Sequence, residues 1–359
     1  MALDQFTARF CGLAFIALSL VFFSALSSAA MPEPAVKDPD VRAGRMCAES
    51  ANPGAVAEKR LIQCGLEYGV FAPERMGCDA PYMDVRITAY NLERGFEMDR
   101  QIVLFRKHEM FRDTDILLLS EVDRGCARTQ YRNVARDMAK ALGMNYVYGV
   151  EFVELPHSTA PDADETGEQC EHGNAVLSRW PIVNAGEIRH QVSADWYIAP
   201  GPQRAGQEPR LGGRMAVMAD IDVNGFPLRV YAVHFDSGLQ DDLNRKAQAG
   251  ELVAHAAGAF GPVVMGGDMN TLQYLVDLSS GTNERDPTAP VFLSAGYTDA
   301  HAGMRAAKRG TTRVEYGMRA VLDLIFVKGA AVVDRGICPA KICDPLSDHL
   351  PIWAVLRLE

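Results

Sequence analysis

Several apolar stretches of strand length in this chain end in an acid or an imidazole. The pattern is seen at Asp115–Ser120 before Glu121, at Leu228–Val233 before His234, and at Val263–Gly266 before Asp268. A continuous apolar run of this length indicates a strand that is buried on both faces. Ligands of open α/β sheets bind beyond the strand ends, so the pattern predicts one polar site assembled from several strands.

Strand and helix patterns alternate from Asp84 onward. The predicted strands are Val85–Tyr90, Asp115–Ser120, Tyr146–Phe152, Asn174–Leu177, Ile182–Ile188, Met215–Val223, Leu228–Val233, Val263–Gly266, Val321–Val327 and Ile352–Leu358. The predicted helices are Met98–Arg112, Asn133–Leu142 and Leu239–Phe260. Asn224-Gly225 is a strong hairpin signal. Hairpins mixed with helix-linked strands predict an α/β (α+β) fold, with sheets of mixed direction and helices outside them.

The N-terminus is typical of a secretory signal peptide over residues 1–30. Arg9 precedes the apolar run Cys11–Phe23, and small residues follow, with Ser28 and Ala30 placed for cleavage. An uncleaved anchor is the alternative, although the run is shorter than the roughly 20 residues of a membrane span. We therefore expect an exported protein, either periplasmic or secreted.

Residues 31–83 are predicted to form a cysteine-containing extension with a short helical patch around Ala55–Tyr68. An oxidising compartment favours disulfides. Cys338 and Cys343 are the best local pair, and Cys126 with Cys170 could tie the rim of the site. Cys47, Cys64 and Cys78 would supply one pair and one leftover thiol. A zinc site is the other interpretation, but paired C-x-x-C or H-x-x-x-H motifs are missing.

The acidic balance of the chain limits its partners. The formal net charge is −10 over 359 residues, so tight, non-specific binding of duplex DNA by charge alone is not expected. Nothing in the sequence indicates a stable protein partner, and we expect a monomer.

Two carboxylate positions suggest a metal. Asn91 and Glu93 follow the first strand and could share a metal and a phosphate, although these residues alone favour an Asn-led turn that ends at Gly95. Glu121 ends a buried strand, where a carboxylate needs a partner. Mg²⁺ accepts one or two protein carboxylates, and a solvent-facing strand end is the alternative for Glu121.

Other residues suggest acid and amide chemistry on phosphate. Gly266 and Gly267 allow close backbone approach before Asp268 and Asn270, which would face one cleft. Asp323 lies inside an apolar run and should have a partner. We pair it with His349, since a buried Asp fixes the tautomer of an imidazole and favours its charged form.

The order of these motifs resembles the endonuclease/exonuclease/phosphatase (DNase I-like) superfamily over residues 84–359. The matching motifs are Asn91-x-Glu93, Glu121, the run from His172-Gly173-Asn174 to Ile182, His234, Gly267-Asp268-x-Asn270, Asp323 and Ser347-Asp348-His349. The resemblance implies a four-layer sandwich of two mixed β-sheets flanked by helices. One departure is Leu324, where many members carry His or Tyr.

The resemblance also implies a role for each motif residue. The metal ligands would be Glu121, Glu93, Asn91 and Asp348, with Mg²⁺ as the cofactor and Mn²⁺ as a substitute. Asp268 would position the attacking water, and Asn270 would hold a phosphate oxygen. His349, paired with Asp323, would stabilise the developing charge. His234 and Asn91 would contact the phosphate.

These residues predict an exported, Mg²⁺-dependent phosphoesterase that hydrolyses phosphate mono- or diesters by attack of water. The substrate stays open between a nucleic acid, a phospholipid headgroup and a small phosphate ester. The alternative function is a non-catalytic binding module that retains the fold. Arg94, Arg124, Arg179 and Arg214 could contact substrate or could be ordinary surface and salt-bridged arginines.

Overall fold

The structure, a computed structural model, describes residues 64–74, 80–154, 170–196, 210–238, 240–271, 275–276, 286–305, 308–313 and 319–359. The predicted signal peptide and most of the predicted extension lie outside these residues. The strands are β1 Leu66–Gly69, β2 Met83–Asn91, β3 Ile116–Arg124, β4 Asn145–Glu154, β5 Cys170–Ser178, β6 Ile182–Arg189, β7 Arg210–Gly212, β8 Met215–Val223, β9 Phe226–His234, β10 Val263–Asp268, β11 Leu275–Val276, β12 Thr298–Asp299, β13 Arg319–Ala320, β14 Asp323–Lys328, β15 Ala331–Ile337 and β16 Ile352–Leu358.

These strands form two large mixed sheets. The first sheet has the order β1-β4-β5-β3-β2-β16-β15, and β7 pairs with β4. The second has the order β12-β14-β10-β9-β8-β6, while β11 and β13 form a small ribbon. Strands β2 and β3 run parallel, as do β9 and β10. The polar ends of each parallel pair therefore lie at the same edge of their sheet.

The helices are α1 Met98–Lys107, α2 Val134–Leu142, α3 Asp242–Ala256, α4 Thr288–Ser294 and α5 Ala340–Cys343. The side chain of Asn133 caps α2 by accepting a hydrogen bond from the amide of Arg136. Two helices are shorter than predicted. Helix α1 ends at Lys107 instead of Arg112, and α3 ends at Ala256 instead of Phe260. No helix within the described residues is long and apolar enough to cross a membrane.

Three apolar cores separate four layers. Alternate residues of β3 point to opposite faces: Leu117 and Leu119 pack on the α1 and α2 side, and Ile116 and Leu118 pack between the sheets. A third core lies between the second sheet and helices α3 and α4. The period of two along a strand thus fills two cores from one apolar run, which confirms the predicted four-layer sandwich.

The N-terminal extension contributes a strand to the fold. Leu66–Gly69 pairs with β4 over Gly149 to Tyr146, so the predicted helix around Ala55–Tyr68 is wrong at its C-terminal end. Only four residues make this strand, which is too short for a clear period in the sequence. Strand β15 was also missed, because it is largely exposed at the sheet edge and lacks an apolar face.

Candidate active site

Strand register brings three predicted site residues into one row on the second sheet. Asp268 of β10 lies opposite His234 of β9 on one side and opposite Asp323 of β14 on the other. A Cβ on Gly267 would lie 2.1 Å from the carbonyl oxygen of Val233, so this position requires glycine. The expected close backbone approach before Asp268 is therefore present.

Asp268 is the centre of the polar contacts. Its Oδ2 accepts a 3.0 Å hydrogen bond from Asn91 Nδ2 and lies 3.7 Å from Nε2 of both His234 and His349. Its Oδ1 accepts a hydrogen bond from the amide of Asn270 at 3.0 Å. Residues from both sheets therefore meet at one carboxylate, as the sequence pattern predicted.

His349 is held by a buried carboxylate. Its Nδ1 lies 2.7 Å from Asp323 Oδ2, and both side chains are almost fully buried. Burial disfavours the imidazolium, but Asp323 and Asp268 outweigh it and raise the pKa of His349 well above its ordinary value. The predicted Asp323–His349 pair is present, and it favours a positive charge beside Asp268.

Glu121 adopts a backbone conformation that non-glycine residues rarely use. Its φ is 53°, and the β3–β5 register shifts between Leu119 and Val122. The bulge turns its side chain towards Arg94 Nη1 at 3.6 Å and His234 Nε2 at 3.9 Å. Burial alone would raise the pKa of Glu121, but nearby cations, with Arg94 foremost, lower it below its ordinary value.

Left-handed backbone recurs at the site, since Glu93, Arg94 and Asn270 also have φ between 48° and 62°. Such residues cost about 1–3 kcal/mol each and cluster at functional sites.

Hydrogen bonds fix the turn that follows β2. Asn91 Oδ1 accepts a hydrogen bond from the amide of Glu93 at 3.0 Å. Ser347 Oγ donates to the carbonyl of Asn91 at 2.8 Å. The motif residues Asn91, Glu93 and Ser347 are therefore locked together by hydrogen bonds.

The acids Glu93, Glu121 and Asp348 lie close enough to repel one another. Burial and then repulsion from Asp348 raise the pKa of Glu93. Burial also raises the pKa of Asp348, and repulsion from Glu121 and Asp268 adds to the effect. Hard oxygen donors that repel one another suit a divalent cation such as Mg²⁺ or Mn²⁺. Asn91, Glu93, Glu121 and Asp348 therefore supply the type of oxygen donor that such a cation prefers.

A second group of donors lies next to this cluster. One ligand atom each from Asp268, Asp323 and His349 lies within 4.8 Å of the others, so these residues could also hold a metal ion. The short His349–Asp323 hydrogen bond occupies one nitrogen of this group. The site therefore has two sets of possible metal donors, this group and the acid cluster of Glu93, Glu121 and Asp348.

Glu151 is a site residue that sequence reasoning missed. It is fully buried, and its carboxylate lies 3.1 Å from both His234 Nδ1 and Arg214 Nη1. Burial opposes the charge, but His234 and Arg214 prevail and lower the pKa of Glu151 to about 2. The sequence pattern that could have identified Glu151 is an acid inside the apolar strand Tyr146–Phe152. The same kind of pattern identified Asp323.

The His172-Gly173-Asn174 motif supports the site from behind. His172 Nδ1 lies 3.0 Å from Asp123, which also accepts two hydrogen bonds from Arg128. Asn174 Nδ2 donates to the carbonyl of Met215 at 2.9 Å and so joins the two sheets. His172 also acts on the acid cluster, since after Arg94 it is the group that most lowers the pKa of Glu121.

The four arginines considered as substrate contacts all bind protein groups. Arg94 and Arg214 contact Glu121 and Glu151 inside the site. Arg124 forms ion pairs with Glu67 and Glu171, and Arg179 donates to the carbonyl of Arg112. Leu324 is buried in the core between the second sheet and its helices, so it adds nothing polar to the cleft.

Two of the predicted disulfides are confirmed. Cys126 is bonded to Cys170, which joins the loop after β3 to the start of β5, and Cys338 is bonded to Cys343. Cys64 is also disulfide-bonded. The predicted pairing among Cys47, Cys64 and Cys78 lies mainly outside the described residues.

The fold is similar to solved structures. One is an endonuclease/exonuclease/phosphatase from Beutenbergia cavernae DSM 12333, with 21% identity, a TM-score of 0.57, and coverage of 77% of this chain and 72% of that one. Another is D. rerio TDP2 humanized by 14 mutations, with 14% identity, a TM-score of 0.51, and coverage of 76% and 98%. At these identities the likeness concerns the fold alone. Curated protein sequences give no significant match.

Residues 97–349 match the Endonuclease/Exonuclease/phosphatase family, and they span more than half of the 359-residue chain. The matched segment includes Glu121, His234, Asp268, Asp323 and His349. Members of this family are hydrolases that act on phosphoester bonds and generally depend on a divalent metal. On this match, with the convergent site and the four-layer fold, the chain belongs to the endonuclease/exonuclease/phosphatase family.

Proposed function

We propose that this protein is an exported, Mg²⁺-dependent phosphoesterase that hydrolyses phosphate mono- or diesters, with Mn²⁺ as a substitute metal. The observation that carries the proposal is the position of Asp268. Its Oδ2 lies 3.7 Å from Nε2 of both His234 and His349, beside the acid cluster of Glu93, Glu121 and Asp348. A phosphate bound there would meet a carboxylate, two imidazoles and a metal site together.

Each site residue has its own role in the proposed reaction. Asp268 orients a water molecule for attack on phosphorus, opposite the ester oxygen that leaves. The His349 imidazolium, held by Asp323, donates to a phosphate oxygen as negative charge develops. A cation held by Glu121, Glu93, Asn91 and Asp348 would supply Lewis-acid stabilisation of that charge.

Two further residues would hold the phosphate. Asn270 Nδ2 donates to the carbonyl of Phe235 at 3.0 Å, which fixes the amide next to Asp268 and leaves its second hydrogen for a phosphate oxygen. His234 Nε2 points to the same cleft, since it lies 3.7 Å from Asp268 Oδ2, while Nδ1 faces Glu151 and Arg214 on the other side of the ring. Contacts with the protein thus hold both side chains in place next to Asp268.

Export is supported by the disulfides and by the N-terminal sequence. Cys126–Cys170 and Cys338–Cys343 are expected in an oxidising compartment. The test is to express the full chain and to determine the N-terminus of the protein recovered outside the cytoplasm. Cleavage after Ala30 supports export, and retention of residues 1–30 in the cytoplasm contradicts it.

Hydrolysis of bis-p-nitrophenyl phosphate tests the catalytic proposal. With Mg²⁺ present, the protein should release p-nitrophenol, and Asp268→Ala and His349→Ala should each abolish the release. Arg132→Gln is the control, because Arg132 pairs with Asp99 on the surface. Full activity in both site variants would show that the assignment is wrong.

A substrate panel tests which ester is cleaved. Sphingomyelin, a short DNA duplex and a small phosphomonoester are each incubated with the protein and Mg²⁺. Release of choline phosphate, nucleotides or free phosphate identifies the class, since each product comes from one substrate only. No release from any of the three would contradict the proposed activity on all these classes.

A further inference from the structure

Arg313 covers a predicted metal ligand. Its Nη2 lies 3.1 Å from Oε2 of Glu93, and its Nη1 lies 3.5 Å from Oε1. Both oxygens of Glu93 therefore face one guanidinium group. Because an arginine is always positively charged and only donates hydrogen bonds, this contact offsets the negative charge of the carboxylate that the metal would use.

The ion pair between Arg313 and Glu93 is exposed enough for a cation to displace the arginine. The Arg313 side chain is 47% exposed and that of Glu93 is 22% exposed. Pairs of this kind contribute little, typically up to about 1 kcal/mol. A divalent cation at Glu93 would also repel the guanidinium. Metal binding and the Arg313 contact are therefore in competition.

The backbone keeps Arg313 at the site when its side chain leaves Glu93. Its amide donates to the carbonyl of Asp348 at 2.7 Å, and the preceding residue, Thr312, forms an isolated bridge with His349. The amide of Leu350 donates to the carbonyl of Thr311 at 2.6 Å. The segment is thus attached to the Ser347-Asp348-His349 motif, so Arg313 stays next to the site.

We propose that Arg313 neutralises Glu93 until a divalent cation binds, and that the displaced guanidinium then binds a phosphate oxygen of the substrate. The inference rests on the proposed function, because it needs the acid cluster to hold a metal. A planar guanidinium is suited to phosphate, since it presents two parallel N–H donors. Arg313 would therefore be a substrate-binding residue.

The first test is Mn²⁺ binding to the metal-free, disulfide-bonded protein, measured by calorimetry. Arg313→Gln removes the competing cation, so the Kd for Mn²⁺ should fall by about two- to five-fold. Arg313→Lys keeps the charge without the two-point contact and should give an intermediate value. Arg132→Gln removes another exposed, paired arginine and should leave the Kd unchanged.

The second test uses the same variants at saturating Mn²⁺ with bis-p-nitrophenyl phosphate. Loss of a charged hydrogen bond to phosphate should raise the KM of Arg313→Gln by about ten-fold. Tighter metal binding together with a higher KM is a signature that simple damage to the site cannot give, since damage weakens both. Thermal melting confirms that each variant is folded.

The outcomes separate this inference from the proposed function. If the unchanged protein binds no Mn²⁺, the metal site itself is wrong. If it binds Mn²⁺ but Arg313→Gln binds it no more tightly, or the KM does not rise, the exchange role of Arg313 is wrong and the phosphoesterase proposal stands.

Discussion

Two imidazoles of the site each depend on a buried acid. Asp323 holds His349 at 2.7 Å, and Glu151 holds His234 at 3.1 Å. An imidazole buried without such a partner would lose its fixed orientation and tautomer. The carboxylates behind the histidines should therefore matter as much as the histidines themselves.

Asp323→Asn tests this at His349. The amide can still accept a hydrogen bond but no longer stabilises an imidazolium, so kcat should fall by about 10²- to 10⁴-fold. Asp299→Asn is the matched control, because Asp299 is also buried and paired, to Arg309 at 2.7 Å outside the site. Equal losses of kcat in both variants would show that the effect is one of folding.

Glu151→Gln tests a pH effect on stability. The pKa of Glu151 is lowered from 4.5 to about 2 in the folded protein. Its contribution to the free energy of unfolding, about 3 kcal/mol, is therefore present above pH 4.5 and is lost as the pH falls towards 2. Urea unfolding should show the variant less stable at pH 7, with the difference shrinking below pH 4.5. A difference that stays constant with pH would contradict this.

The sequence identifies a site residue when an apolar run stops just before it. Glu121, His234 and Asp268 each follow an apolar run, and all three converge in the structure. Glu151 was missed because apolar residues continue on both sides of it, so no apolar run stops before it. It lies at a shift of the β4–β5 register between Val150 and Phe152, as Glu121 lies at a shift in β3. Bulges depend on strand pairing, which a local sequence pattern does not contain.

Strand β5 shows how closely the elements approach one another. A Cβ on Gly173 would lie 2.0 Å from the carbonyl oxygen of Gly149 in β4. Neither strand can yield easily, because β4 and β5 are buried along their whole length. The glycine in the His172-Gly173-Asn174 motif is thus a requirement of the sheet.

Gly173→Ala should lower the free energy of unfolding by about 1–3 kcal/mol, as overpacking does elsewhere. Gly250→Ala is the matched control, since this glycine lies in α3 with open space around its Cβ position. That variant should gain up to about 1 kcal/mol from helix propensity. Chemical denaturation of both variants measures whether the free energy of unfolding changes in opposite directions. Destabilisation of similar size in both would be evidence against the close approach of β4 and β5 at Gly173.

Element types were easier to predict than element limits. The hairpin at Asn224-Gly225 and the strands around it agree with the structure. Helix α3 stops at Ala256, short of the predicted end at Phe260, whose side chain is 89% exposed. An apolar residue usually extends a helix prediction, but here its side chain is left exposed.

The whole molecule is held by its three cores and by covalent links in the first sheet and its loops. The Cys126–Cys170 disulfide spans 44 residues of sequence and ties the loop after β3 to β5, whereas Cys338–Cys343 spans only 5. A cross-link stabilises more when it closes a longer loop of the unfolded chain. The first disulfide should therefore matter more for stability.

Replacing Cys126 and Cys170 by Ser should cost about 4 kcal/mol, and replacing Cys338 and Cys343 should cost about 2 kcal/mol. Thermal melting of the two double variants at pH 7 gives the ranking. A larger loss for the Cys338 and Cys343 variant would contradict the loop-length argument.

The strand Leu66–Gly69 covers part of the outer edge of β4, where Tyr146–Gly149 would otherwise offer unpaired backbone groups. Exposed edges of this kind recruit other chains. A protein shortened to begin at Asp84 would keep every predicted site residue and yet be prone to self-association, which light scattering would detect as growth in particle size with concentration. The segment before Asp84 would then protect the protein from aggregation.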